Sequence, residues 1–186
     1  MLKKGVERRE VLRALGEVFR AHGYEGASLT LITEATGLGK GSLYHLFPGG
    51  KEQMAAEVLA DIDAWFELNI YAPLREASDP ARAIAAMIAC VDRYFHSGDR
   101  VCLVGLVALG SARDTFAEAV DGYFARWQAA LAQLLRRSGL SKGQAQRRAE
   151  DALLTIQGAL VLARARNDAG IFRRALAELM TRLLAP

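Results

Sequence analysis

Four hydrogen-bonding side chains follow a glycine turn near the N-terminus, in the stretch GLGKGSLYHLFPGGK that ends at Lys51. The ammonium of Lys40 suits a phosphate, whereas Ser42, Tyr44 and His45 offer hydroxyl and imidazole groups for base edges or sugar–phosphate oxygens. The glycines on either side of Lys40 weaken a helix, which indicates that the backbone there approaches another molecule closely. These residue types together predict contact with DNA.

Two short helices must position these side chains. Ser28 is a predicted N-cap for a helix over residues 29–36, and Gly37 supplies the turn after it. The next helix begins at Gly39 or Lys40 and stops before Pro48. Two helices joined by a glycine turn form a helix-turn-helix pattern, in which the first helix braces the second and the second lies in the major groove.

Lys51 falls in the first turn of the following predicted helix, where a cation is mildly unfavourable against the helix dipole. A bound phosphate would reverse this effect, because free amides, dipole and ammonium would all face one anion. A solvated surface lysine is the alternative, and the preceding helix-turn-helix favours the phosphate. The full predicted set of DNA contacts is Ser28, Thr30, Lys40, Gly41, Ser42, Tyr44, His45 and Lys51.

Charge supports the same segment. Residues 1–51 hold 8 basic and 5 acidic side chains, so 8 − 5 = +3, which equals the net charge of the whole chain. The remaining residues are neutral, with 24 − 8 = 16 basic and 21 − 5 = 16 acidic side chains. A modest basic excess attracts polyanions and is a weak pointer to nucleic acid.

The rest of the chain predicts an all-α protein of about nine helices, because apolar residues recur at helical spacing and no alternating strand pattern occurs. We place a helix-turn-helix DNA-binding domain at residues 1–51 and a helical ligand-binding and dimerisation domain at residues 52–186. A first helix over 6–22 and a long fourth helix over 50–72 are expected. No segment is long enough to span a bilayer and no signal peptide is evident, which predicts a cytoplasmic protein without a membrane partner.

The first ~55 residues resemble the DNA-binding domain of TetR-type (tetracycline-repressor-like) transcriptional regulators. Phe19, Gly23, Tyr24, the run Gly37–Pro48 and the pair Lys51-Glu52 carry this resemblance. The Phe-Pro-Gly-Gly-Lys-Glu junction and the Cys102–Gly105 stretch are similar to the LmrA/YxaF-like branch. Three positions depart from the usual pattern, namely Thr33, Gly39 and Leu46.

The resemblance implies a homodimer built on the last two helices, although the apolar stripes of these helices are also compatible with a purely intramolecular core. The side chains expected to face the partner are Leu153, Ile156, Leu160, Phe172, Leu176, Leu179, Met180 and Leu183.

The resemblance also implies a cavity in the body for a small apolar or aromatic effector, although aromatic stripes are often simple core. The residues expected to line it are Trp65, Phe66, Asn69, Tyr94, Cys102, Leu106, Tyr123, Trp127 and Gln157. We therefore expect a repressor that an effector releases from a palindromic operator by shifting the population of conformers.

Two other classes of function are weaker. An enzyme is disfavoured, because no carboxylate is placed to orient any of the three histidines, and no metal-ligand spacing or nucleotide-type glycine loop occurs. Catalytic residues, metal ions and cofactors are accordingly not expected. A nonspecific architectural DNA binder would need a larger positive charge than this neutral body supplies.

Overall fold

The computed structural model describes residues 8–185, and every regular element within them is helical. The described residues form ten α-helices. A π-helical turn at Glu67–Tyr71 joins α4 to α5 in one continuous helical run, so nine separate helical runs result, and the predicted all-α fold class is confirmed. The predicted helix start at Val6 lies outside the described residues. The α-helices are α1 Arg8–Gly26, α2 Leu29–Thr36, α3 Lys40–Leu46, α4 Gly50–Phe66, α5 Ala72–Glu76, α6 Pro80–Tyr94, α7 Leu103–Leu109, α8 Ala117–Arg137, α9 Lys142–Arg166 and α10 Gly170–Leu184.

Local capping rules determine several of the helix ends. The Ser28 hydroxyl accepts the N–H of Leu31 at the start of α2, and Gly37 ends that helix with φ of 66°. Asp79 caps α6 through the N–H of Arg82, and a reciprocal capping box between Ser141 and Gln144 begins α9.

The predicted helix over 50–72 differs from the observed run. A π-helical turn interrupts it at Glu67–Tyr71, and helical structure continues to Glu76. Pro73 does not end the run, because it lies in the first turn of α5, where a missing N–H costs little. Such a turn inserts one extra residue and often marks a functional position in a helix.

The described chain forms two compact units. The reading unit comprises the described residues up to Ala64 together with Leu103–Val120, and the body unit comprises Trp65–Cys102 together with the described residues from Asp121 onward. These units differ from the predicted border after residue 51, because α4 up to Ala64 and the whole of α7 group with the helix-turn-helix.

In the reading unit, α1 packs against both α2 and α7. Ile32, Leu43 and Phe47 are fully buried and fix the two helices of the helix-turn-helix. The guanidinium of Arg8 lies 4.7 Å from the Phe47 ring centre, donates to the Leu46 carbonyl and pairs with Glu57. This arrangement holds the end of α3 against α1 and α4.

In the body unit, α10 packs against α6 and α9. The chain leaves α6 through His96, Ser97 and Gly98, which all have positive φ. A Cβ atom at Gly98 would lie 2.7 Å from Cβ of the buried Phe172, so only glycine fits between this turn and α10.

Candidate functional site

Helix α3 presents the predicted reading side chains on the surface of the reading unit. Lys40, Tyr44 and His45 are exposed, and Ser42 is half-buried. The Tyr44 side chain is 51% exposed, and one ring carbon lies 3.6 Å from where a Cβ at Gly50 would stand. Since the inward side of α3 is fixed by buried Leu43, these polar groups are held outward on a short rigid helix.

The two glycines beside Lys40 face open space. A Cβ at Gly39 or Gly41 would have no neighbouring heavy atom within 4 Å, and Gly39 has φ of −69°. Neither packing nor backbone conformation within the unit requires glycine at Gly39, and packing does not require it at Gly41. Both positions therefore leave room for the backbone of α3 to approach an external surface.

Ser28 and Thr30 lie exposed at the start of α2. The Ser28 hydroxyl serves as the cap of this helix. The hydroxyl of Thr33, which departs from the family pattern, donates to the carbonyl of Thr30 at 2.7 Å. The unusual threonine is thus satisfied within its own helix.

Lys51 has protein partners that the sequence did not predict. Its ammonium donates to the carbonyls of Tyr24, at 2.9 Å, and Glu25, at 3.3 Å, and lies 4.7 Å from the centre of the Tyr24 ring. A cation at the carbonyl end of α1 is favourable against the helix dipole. Lys51 therefore ties α4 to α1, and contact of its third donor with a phosphate stays a prediction.

Replacing Lys51 by methionine is expected to lower the free energy of unfolding by about 1–3 kcal/mol, because two charge-assisted hydrogen bonds of a half-buried group are lost. The measurement is denaturant unfolding, with exposed Lys40→Met as the control of near-unchanged stability. In DNA titrations, Lys40→Met should reduce the slope of log affinity against log salt by about 1. An equally reduced slope in Lys51→Met would establish a phosphate contact, and wild-type stability would contradict the tie to α1.

Five of the predicted effector-site side chains form one aromatic cluster in the body unit. The Phe66 ring is at its centre, 4.8 Å from Tyr94, 4.8 Å from Tyr123 and 5.2 Å from Trp127. Trp65 joins it through Tyr94, at 4.6 Å. The sequence pattern thus identified a group of residues that do lie together, and whether they contact an effector stays a prediction.

The polar members of the predicted set have different surroundings. The Asn69 amide donates to the Trp65 carbonyl at 2.8 Å, whereas the indole N–H of Trp127 and the amide nitrogen of Gln157 have no hydrogen-bond partner within the described chain. Burial raises the pKa of Tyr123 well above its ordinary value, and the neighbouring Cys102 thiol adds to this effect, so the phenol is neutral. Two buried donors are therefore available to an acceptor.

Leu106 is separated from this set by the division of the chain. It belongs to the reading unit, where it lines a cavity beside Gly23 and Glu25. Its helix, α7, packs on α1. The structure thus does not group Leu106 with the aromatic cluster of the body unit.

The predicted partner-facing side chains are mostly occupied within the body unit. Of the eight, only Met180 is half-buried, and the following seven are buried: Leu153, Ile156, Leu160, Phe172, Leu176, Leu179 and Leu183. Within the chain α9 and α10 pack on each other and bury these stripes, and contact of the same side chains with a partner stays a prediction. Periodicity identified an apolar stripe but not the surface that covers it.

A second apolar face of α9 was outside the predicted set. Leu154, Val161 and Leu162 are 67%, 60% and 54% exposed. With Gly158 and Ala165 they follow the spacing i, i+4, i+7, i+8 and i+11, which places them on one side of the helix. The signal in the sequence was an apolar row beside the main stripe.

Two classes of site are missing from residues 8–185. No group of three or more His, Cys, Asp or Glu side chains there could hold a metal ion. None of the helices in this range combines the length and apolarity that crossing a membrane requires.

Comparison with known proteins gives two family matches. A family model described as "Bacterial regulatory proteins, tetR family" matches residues 11–58, and one described as "Transcriptional regulator LmrA/YxaF-like, C-terminal domain" matches residues 80–178. The HTH-type transcriptional regulator LmrA of Bacillus subtilis (strain 168) is 29% identical over 162 residues, covering 85% of this chain and 86% of LmrA. YxaF of the same organism is 28% identical over 172 residues, covering 90% of each chain.

Solved structures show the same fold. A TetR-family regulator from Agrobacterium tumefaciens matches with a TM-score of 0.82 at 24% identity, covering 95% of this chain and 97% of the other. A cysteine mutant of the TetR-family regulator CifR, complexed with 26bp double-strand operator DNA, matches with a TM-score of 0.77 at 26% identity, covering 100% and 99%. One family model matches the helix-turn-helix, and the other matches residues 80–178, just over half of the whole chain. This protein therefore belongs to the TetR family of DNA-binding transcriptional regulators, which are not enzymes, in its LmrA/YxaF-like branch.

Proposed function

We propose that this regulator is a homodimeric repressor that binds a palindromic operator and leaves it when a small effector binds the body unit. The observation that carries the DNA part is α3, a short helix fixed inward by Leu43 and Phe47 with Lys40, Tyr44 and His45 outward. The CifR relative is recorded with operator DNA. Since the proposed operator lies on the chromosome, we propose that the repressor acts in the cytoplasm.

The roles proposed for α3 follow from its chemistry. Lys40 neutralises a phosphate at the entrance of the major groove, while Ser42, Tyr44 and His45 reach base edges or backbone oxygens deeper in it. Ser28 and Thr30, on the bracing helix, reach the phosphates of the adjoining strand. The open space around Gly39 and Gly41 lets the helix backbone come close to the duplex.

The homodimer follows from the exposed row on α9. Isolated exposed apolar side chains are common, but Leu154, Val161 and Leu162 form a continuous row around Gly158, which lets a partner helix approach closely. We propose that this row packs against its copy in a two-fold arrangement. Two copies of α3 would then reach successive major grooves, which is why the operator would be palindromic.

The effector part rests on the aromatic cluster of the body unit. No charged residue of the body unit is buried, which favours an uncharged molecule. The free indole N–H of Trp127 and the free amide of Gln157 favour one with hydrogen-bond acceptors. The helical run Gly50–Glu76 carries Lys51 at its start and Phe66, the centre of the aromatic cluster, further along. Movement of that run on effector binding would therefore change how the helix-turn-helix binds DNA.

The test of this function is a fluorescence-anisotropy titration with DNA from upstream of the gene, matched random DNA and a salt series. A repressor of this kind should prefer its own upstream DNA by about 10³-fold or more. Equal affinity for both duplexes would favour the architectural alternative. A thermal-shift screen of neutral aromatic acceptors then tests the effector.

Gly41→Ala separates DNA approach from folding. Alanine at the second residue of α3 should stabilise the fold by up to about 0.5–1 kcal/mol, because glycine is a poor helix former and the added Cβ meets open space. The same methyl group should weaken operator binding by about tenfold if the backbone approaches DNA. The control is Gly143→Ala in the first turn of α9, which should leave operator affinity unchanged. Unchanged affinity in Gly41→Ala would remove α3's backbone from the interface.

A further inference from the structure

A cavity of about 300 Å³ is lined entirely by residues of the reading unit and shares no residue with the aromatic cluster. This volume is at the lower end of the range for small-molecule sites, roughly 300–1,000 Å³. The apolar side chains that line it are Leu103, Leu106, Val107, Leu109 and Ala112. The remaining wall comes from Gly23–Glu25, at the end of α1, and from Gly110.

Two leucines of the cavity lining expose apolar surface to water, which is energetically unfavourable. Leu109 is 84% exposed and Leu106 is 37% exposed, although both belong to α7, whose other large side chains are buried. An apolar molecule in the cavity would remove part of this surface from water. The lining therefore provides binding free energy for a hydrocarbon or aromatic body.

Glu25 supplies the single charged group of the lining. Its Oε1 accepts a short hydrogen bond from the Ser111 hydroxyl. Its Oε2 lies 3.9 Å from the Cβ positions of both Gly23 and Gly110, the two glycines that line the cavity. The backbone N–H groups of Ala112 and of Glu25 itself also donate to this carboxylate, so the protein fixes its position against the cavity wall.

The Ser111 hydrogen bond also holds the pKa of the Glu25 carboxyl below its ordinary value, so the group is anionic at neutral pH. The ammonium of Lys51 lowers this pKa further and is itself bound to the carbonyls of Tyr24 and Glu25. A carboxylate offers about four acceptor positions, so beside the Ser111, Ala112 and Glu25 donors it keeps room for one further charge-assisted hydrogen bond.

We propose that this cavity is a second small-molecule site, which takes an organic cation with an apolar body. The ammonium or amidinium group of the ligand binds Oε2 of Glu25, and its hydrocarbon or aromatic part lies on the leucines of α7. Such a ligand bridges the end of α1 and the α7 turn inside the reading unit. It gives the regulator an input that does not pass through the aromatic cluster.

The test uses three probes that share a body and differ in charge: 4-phenylbutylammonium, 4-phenylbutanol and 4-phenylbutanoate. Isothermal titration calorimetry of the full chain should show the cation binding about tenfold more tightly than the alcohol, since a hydrogen bond to a charged group is worth roughly that factor. The carboxylate should bind most weakly. In the wild type, the amide NMR signals of Gly23, Glu25 and Gly110 should shift on titration with the cation.

Two variants locate the site. Glu25→Gln keeps an acceptor for Ser111 and should remove the preference for the cation, whereas Glu34→Gln on α2 makes the same charge change and should retain it. Gly110→Val should abolish binding of all three probes, because Gly110 lines the cavity and the valine side chain would occupy part of it. The variant should still fold, since Gly110 has φ of −90°, which any residue adopts, and an added Cβ would meet only ordinary contacts. Circular dichroism checks that each variant is folded.

Several results would overturn the proposal. These are no heat with the cation at millimolar concentration, equal binding of the three probes, a cation preference that survives in Glu25→Gln, or unchanged NMR signals at Gly23 and Gly110. Wild-type binding by folded Gly110→Val would place the ligand elsewhere. None of these results depends on the effector proposed for the body unit, so the two ideas fail separately.

Discussion

Replacing Val161 by glutamate is expected to separate the proposed dimer into folded monomers. Val161 is 60% exposed on α9 and lies in the row with Leu154 and Leu162, so the substitution costs little in a single chain. In a two-fold interface it would bury two carboxylates without partners, which is strongly unfavourable. Light scattering after size exclusion, at micromolar protein, measures the change of mass.

The same variant should lose operator affinity by about 100-fold or more, because binding of the second reading helix ceases to be intramolecular. The control is Leu68→Glu, which places the same charge on another exposed apolar position, 74% exposed, in the π-helical turn. That variant should keep both its dimeric mass and its operator affinity. A dimer that persists in Val161→Glu would exclude the α9 row as the interface.

Gly98→Ala is expected to lower the free energy of unfolding by about 3 kcal/mol or more, a large effect for the addition of one methyl group. Gly98 has φ of 107°, which strains any L-residue, and the new Cβ would lie 2.7 Å from Cβ of buried Phe172. The backbone of α10 would have to move away from the end of α6. Urea unfolding followed by circular dichroism gives the difference in midpoint and slope.

Gly139→Ala is the matched control for that variant. Gly139 has φ of 101°, close to that of Gly98, but a Cβ there would meet nothing within 4 Å. Its cost should be about 1–2 kcal/mol, the strain of a left-handed residue alone. Equal losses in the two variants would show that backbone strain, not the contact with Phe172, requires glycine at Gly98.

Features set by nearest neighbours along the chain were predictable. The cap at Ser28 lies where the sequence indicated, and the caps at Ser28, Asp79 and Ser141 all need only the residue three positions ahead. The inward positions of Leu43 and Phe47 follow from their spacing on α3. The TetR-type resemblance added the arrangement of the helices, which family membership confirms.

Features set by contacts distant in the chain were not predictable. The ammonium of Lys51 donates to the carbonyls of Tyr24 and Glu25, and no rule that depends on neighbouring residues predicts these two hydrogen bonds. Along α9, the row of Leu153 and Ile156 and the row of Leu154 and Val161 look alike in sequence, and only the position of α10 decides which one is buried. The spacing of apolar residues thus shows which faces of a helix are apolar, but tertiary packing determines what each face contacts.

The grouping of Leu103–Val120 with the N-terminal helices has a consequence for synthesis on the ribosome. The helix-turn-helix is translated early, but α7, against which α1 packs, follows only after residues 65–102 have been added. Domains generally fold as units in the order of their synthesis. Here the first unit to begin cannot be completed until part of the second has been translated, so the nascent chain must carry an unfinished N-terminal core past residue 102.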